Sequence, residues 1–160
     1  MKQSKKHAVA LLLWYLPIAL VQLISGIVTK DEINPWYQTL QKASWNPPPW
    51  VFGPTWTLLY FMMAFAAWVI YLSKTSQKMR SIAYTLFFSQ LIVNGLWSFL
   101  FFRFHMIGWA LIDLGLLTVL VTLTGFYFYR IRPLAGLLLL PYLLWSLYAF
   151  SLNAAIWWLN

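Results

Sequence analysis

The chain has 160 residues, of which 62% are hydrophobic and only 9% charged. A water-soluble domain of this size carries roughly 25% charged residues, so there is too little polar surface to coat a soluble globule, and the bilayer must solvate most of it. The net charge of +8 would point to nucleic acid in a soluble chain, but these cations sit in tails and short loops with no basic face, and the absence of cysteine excludes disulfides and thiolate metal sites.

In chain order, Lys2, Lys5 and Lys6 precede the first apolar run, as they would in a signal peptide. Residues 8–28 are long enough to span, however, and no small-residue cleavage site stands out, so this run reads as a retained first helix. Four further spans follow at residues 51–72, 81–102, 106–129 and 134–158. Continuous hydrophobicity with little period-two alternation favours helices over a barrel. The expected architecture is an all-α membrane protein, one five-helix transmembrane domain over residues 1–160 with a long Trp/Pro-rich first loop. Short second to fourth connections make those neighbours antiparallel.

That first loop, residues 29–50, contains Asn34-Pro35-Trp36-Tyr37 and Trp45-Asn46-Pro47-Pro48-Pro49-Trp50. Its prolines oppose helix and stiffen the chain, and its aromatic rings suit the headgroup zone. A loop this long in so small a protein needs a reason, and a stiff aromatic lid over the bundle mouth would be one.

Charge orients the bundle. Lys2, Lys5, Lys6, Lys74, Lys78, Arg80, Arg130 and Arg132 fall on one side, whereas Lys30, Lys42 and Arg103 share the other with Asp31 and Glu32. The positive-inside rule then places the N-terminus in the cytoplasm and the C-terminus outside.

Polar residues at membrane depth are costly and normally face the interior. In the third span Gln90, Asn94 and Trp97 lie on one stripe that Phe101 continues; in the fifth, Trp145, Ala149 and Asn153 repeat every four residues, with Tyr142 and Tyr148 nearby. Rings with a few amide or indole donors are the make-up of a small-molecule pocket, and amides equally serve as contacts between helices. Asp113 is the only acid inside a span, with Trp109 one turn earlier as a possible donor and a structural hydrogen-bond role expected. His7 and His105 lie in opposite surface regions and cannot share a metal. Thr85 and Ser89 form a small-xxx-small step. No nucleophile–base set, phosphate loop or carboxylate pair is visible.

The run Trp36-Tyr37, Leu40-Gln41-Lys42, Ser44-Trp45, Pro47-Pro48, Trp50-Val51, Gly53-Pro54, Trp56, Leu59-Tyr60 resembles the translocator protein family, also called tryptophan-rich sensory protein, TspO/MBR or peripheral benzodiazepine receptor. The likeness continues through Gln90, Asn94, Trp97, Gly108 to Leu114, Pro141 to Leu143, Trp145 and Leu152-Asn153. It implies a five-helix bundle, often a homodimer, with a pocket between the helices closed by the first loop. It implies porphyrins as ligands rather than cofactors, and in many members cholesterol and benzodiazepine-type compounds. By position the pocket would include Tyr37, Trp56, Tyr60, Gln90, Asn94, Trp97, Trp145 and Ala149. Some bacterial members are reported to promote light-dependent porphyrin breakdown, for which Trp97 and Trp145 would be the candidates here.

Two departures stand out. Ala43 replaces the family's usual proline before Ser-Trp, and the C-terminal stretch Leu152 to Trp158 lacks the Tyr and basic residue of the animal sterol motif, which argues against sterol. The short C-terminus without a basic tail points to a bacterial member in the cytoplasmic membrane. Binding or sensing of tetrapyrroles is the leading expectation, with transport of hydrophobic molecules next and catalysis least supported.

Overall fold

The computed structural model describes residues 2–33 and 36–160, without the side chains of residues 2–6, 8 and 31. The Asn34-Pro35 step and the side chains of Lys2, Lys5, Lys6 and Asp31 therefore lie outside the described residues. No strand occurs among those described. The helices are α1 (Lys2–Ile33), a single-turn α2 (Trp36–Thr39), α3 (Phe52–Leu72), α4 (Gln77–Ser98), α5 (Ile107–Ile131), α6 (Pro133–Leu138) and α7 (Leu140–Leu159). Five of the resulting segments are long and apolar enough to cross a bilayer: Val9–Lys30, Pro49–Leu72, Gln77–Arg103, Ile107–Ile131 and Pro133–Leu159.

The first helix runs five residues beyond the expected end at residue 28, to Ile33. Nothing in Thr29-Lys30-Asp31-Glu32 breaks a helix, and the acidic residues that look like loop simply continue it past the apolar run. The loop also holds a helical turn at Trp36–Thr39, and a 3₁₀ turn at Pro49–Val51 leads into α3, with proline where its missing N–H costs nothing. The fifth span is interrupted once. Pro141 has no N–H to return to Leu137, and Leu139 separates α6 from α7. Gly136 lets α6 fold back closely on the end of α5, because a Cβ there would lie 2.5 Å from Tyr129 Cβ and 2.7 Å from its Cα.

Between α4 and α5 the chain widens into a π turn, Phe99–Arg103, with Phe104 N–H returning to Phe99 O at 2.9 Å. It ends at His105, whose φ of 53° is left-handed. Such a backbone is uncommon for a non-glycine residue and is fixed here by side-chain contacts. The His105 ring stacks on Trp36 at 3.9 Å between centroids, and Nε2 lies 3.2 Å from Glu32 Oε2. One histidine thus ties the end of α1, the first loop and the α4–α5 turn together.

Helices α4, α5 and α7 pack in sequence, and α1 closes the bundle against α3 and α4. The core is built from Met63, Ala64, Ala67 and Ile70 of α3 against Phe87, Leu91, Leu114, Leu117, Val121 and Phe128. Small residues on α3 let backbones approach, which is how helices associate where lipid removes the usual hydrophobic drive. Outside, Leu12, Leu13, Leu16, Leu20 and Leu23 of α1 are exposed, as are Ile112, Leu116 and Val119 of α5. Continuous apolar belts of this size are untenable in water and natural in lipid. Thr85 and Ser89 face an open groove on the outer side of α4 with Tyr84 and Phe88.

Candidate functional site

The half of the bundle beneath the first loop is not filled. A cavity of about 620 Å³ lies between α1, α3, α4 and α7, and α5 contributes none of its lining. Helical spacing sets the walls. Trp56 and Tyr60 are one turn apart on α3 and stack at 5.3 Å with an interplanar angle of 29°. Trp97 and Phe101 are one turn apart at the end of α4 and stack at 5.1 Å and 19°. Ala149, Leu152, Asn153 and Ile156 form the α7 side, where Ala149 leaves room that a larger residue would take.

At its deep end the cavity closes on a buried hydrogen-bond chain. Tyr60 Oη donates to Asn94 Oδ1 at 2.6 Å, Asn94 Nδ2 donates to Tyr142 Oη at 2.9 Å, and Tyr142 Oη donates to Gln90 Oε1 at 2.9 Å. Only Tyr60 and Asn94 of this chain reach the cavity. Trp97 is fixed separately: its Nε1 donates to Asn153 Oδ1 at 3.0 Å, and Asn153 Nδ2 donates to Ile107 O at 3.0 Å. Both amides are thereby held in one orientation, since each uses its oxygen and nitrogen on different partners.

The loop covers the mouth. Tyr37 lines the cavity, packs edge-on against Phe101 at 6.2 Å, and donates from Oη to Asn46 Oδ1 at 3.3 Å. Lys42 Nζ lies 4.5 Å from the Tyr37 ring centroid and donates to Leu40 O at 2.9 Å. Burial pushes the Tyr37 hydroxyl above its ordinary pKa, with Asn46 opposing, and burial pulls the Lys42 ammonium below its own. Two further contacts fasten the loop to α7: Tyr148 Oη donates to Trp45 O at 2.7 Å, and Asn160 bonds both backbone groups of Gln41, at 2.9 and 3.0 Å.

Of the eight residues expected from sequence, Tyr37, Trp56, Tyr60, Asn94, Trp97 and Ala149 line the cavity together. Gln90 and Trp145 do not. Gln90 lies one layer deeper, behind Tyr142, with its Nε2 unpartnered. Trp145 packs edge-on against Phe52 at 5.9 Å with its Nε1 buried and unpartnered. Asp113 is buried on α5 away from the cavity, its Oδ2 without a partner, and the expected donor Trp109 turns outward, 60% exposed. The α1 wall lies wholly outside the eight expected residues. Gln22, Ser25, Gly26, Thr29 and Lys30 line the cavity from the first helix. Their three- and four-residue spacing in a run of Leu and Ile was the available signal.

Helical spans around a cavity, with a structured loop over its mouth, define a polytopic membrane protein with open space among its helices. The family model described as TspO/MBR family matches residues 13–159. Translocator protein of Homo sapiens is 38% identical over 124 residues, covering 76% of this chain and 73% of the human one. Tryptophan-rich protein TspO of Archaeoglobus fulgidus is 38% identical over 145 residues, covering 91% and 93%. Tryptophan-rich sensory protein of Cereibacter sphaeroides is 35% identical over 145 residues, covering 90% and 87%. The chain belongs to the TspO/MBR family of integral membrane proteins.

Proposed function

We propose that this protein is a membrane receptor or sensor for flat, largely apolar ligands, tetrapyrroles of the protoporphyrin type first and benzodiazepine-type compounds second. The observation that carries this reading is the pair of ring stacks, Trp56–Tyr60 and Trp97–Phe101, lining one cavity of about 620 Å³. A planar guest gains contact area and offset stacking on such walls, and few polar groups need satisfying.

Binding is favoured over passage. The deep end of the cavity is closed by a hydrogen-bonded chain whose members Tyr60, Asn94, Tyr142 and Gln90 are all buried. Opening a route there would leave several polar groups unpaired at membrane depth, which is costly. Titration of the purified protein in lipid nanodiscs with protoporphyrin, read by tryptophan fluorescence, tests the reading. Saturable quenching that weakens in Trp97→Ala is expected. Non-saturating quenching, or identical curves for both proteins, would remove the cavity as the binding site. Flux of porphyrin into sealed vesicles matching the binding curve would favour transport instead.

A further inference from the structure

The cavity has two chemically different walls. Opposite the aromatic one, α1 presents hydroxyl and cationic groups, and three observations set these apart from helix packing. Ser25 Oγ is buried and has no hydrogen-bond partner. This is unusual within this protein: Thr55, Thr57, Ser73, Thr118, Thr122, Thr124 and Ser146 all donate to the carbonyl four residues earlier. Ser25 does not, so its hydroxyl is an unpartnered donor beside the cavity wall. One turn later Thr29 lines the same cavity, and Lys30 stands beside it at the mouth. Among the described residues Lys30 makes no ion pair or hydrogen bond, whereas the other cation at the mouth, Lys42, is held over Tyr37 and on Leu40 O. The acid nearest in sequence with a described side chain, Glu32, is engaged by His105.

An ammonium at the rim, unpaired among the described residues and with two hydroxyls inward of it, suits an anionic oxygen group, and on a flat apolar ligand a carboxylate fits: it accepts several hydrogen bonds and carries the opposite charge. The geometry points to an acid-recognition edge on α1, formed by Lys30 with Thr29 and Ser25, that selects planar apolar ligands bearing a carboxylate at one end. The ring system would lie against Trp56 and Trp97, and its acid group would remain at the wetter mouth, where an ion pair forms without full desolvation. The inference rests on the proposed cavity binding and adds which end of the ligand faces outward and what chemistry that end must have.

The test compares protoporphyrin with its dimethyl ester, which has the same ring and no charge, in nanodiscs of phosphatidylcholine so that lipid charge does not compete. Wild type should bind the acid roughly fivefold more tightly than the ester, the size of one ion pair at a partly wetted site. Lys30→Gln should abolish that preference by bringing acid affinity down to the level of the ester, and Lys30→Arg should retain it. Equal binding of acid and ester by wild type, or an undiminished preference in Lys30→Gln, would overturn the acid-recognition edge while the cavity reading stands. If neither compound saturates any of the three proteins, the tetrapyrrole reading falls and the edge with it.

Discussion

Tyr60 on α3 donates its hydroxyl to Asn94 Oδ1 on α4 at 2.6 Å, joining two helices that otherwise share few contacts. The bond also fixes how Asn94 presents itself, since its amide nitrogen must then turn to Tyr142. Tyr60 therefore shapes the deep end of the cavity with its ring and locks the network beneath it with its oxygen.

Such a network should show coupling between its members. Polar pairs between membrane helices contribute about 0.6 kcal/mol on average and at most about 1.7 kcal/mol, because the separated helices also find partners. A cycle of Tyr60→Phe, Asn94→Leu and the double variant should give a coupling of about 1 kcal/mol in reversible unfolding by SDS. Asn94→Leu alone should cost more than Tyr60→Phe, since it leaves the Tyr60 hydroxyl without its acceptor and also removes the bond that Asn94 donates to Tyr142. Strict additivity of the two changes would show that the bond contributes nothing to stability.

Tryptophan content alone does not rank the indoles, whereas their placement does. Trp97 lines the cavity with its ring orientation fixed by Asn153, while Trp145 reaches it only through Phe52. Trp97→Ala should weaken protoporphyrin binding by about tenfold or more, the loss expected when a buried aromatic anchor is truncated. Trp145→Ala should change it by no more than about threefold. Equal losses in the two variants would contradict the separation of these residues.

The contrast between Trp97 and Trp145 also shows what the sequence could convey. Hydropathy and span length placed five helices, because the lipid requirement acts on every residue of a span in the same way. The stripe Gln90–Asn94–Trp97 was legible as inward-facing, because polar groups at membrane depth have few alternatives. Its depth was not legible, so Gln90 and Asn94 looked equivalent although Tyr142 screens one from the cavity. Trp145 shares a four-residue repeat with Ala149 and Asn153, yet the break at Leu139 and the packing of Phe52 decide how that face is used. Ser25 and Thr29 were hidden for a different reason. Isolated hydroxyls are common in membrane helices bonded to their own backbone, and only coordinates reveal one that is not.

The lid should be loosened without touching the cavity. Asn160 and Tyr148 hold Gln41 and Trp45 through backbone groups, and neither side chain lines the cavity. The double variant Tyr148→Phe/Asn160→Ala removes three hydrogen bonds at the loop and should leave the midpoint of unfolding nearly unchanged, because partly exposed bonds contribute little. Ligand dissociation should speed up several-fold in stopped-flow displacement, and amide exchange should rise around residues 40–46. An unaltered off-rate alongside faster exchange would mean that the loop does not gate the site.

Orientation can be read chemically, because the chain has no cysteine of its own. Thr39 lies exposed in the first loop and Lys78 lies exposed at the start of α4, at opposite ends of the bundle. Eight of the eleven cations belong to the Lys78 side, and that excess should hold it in the cytoplasm. In intact bacterial spheroplasts, a membrane-impermeant maleimide should label Thr39→Cys at once and Lys78→Cys only after permeabilisation. The cavity mouth beneath the loop would then open away from the cytoplasm, so that ligand enters from the outer side or from the outer leaflet. Labelling in the reverse order would invert the topology and put Lys30 and the mouth on the cytoplasmic face, where a porphyrin made inside the cell would meet them directly.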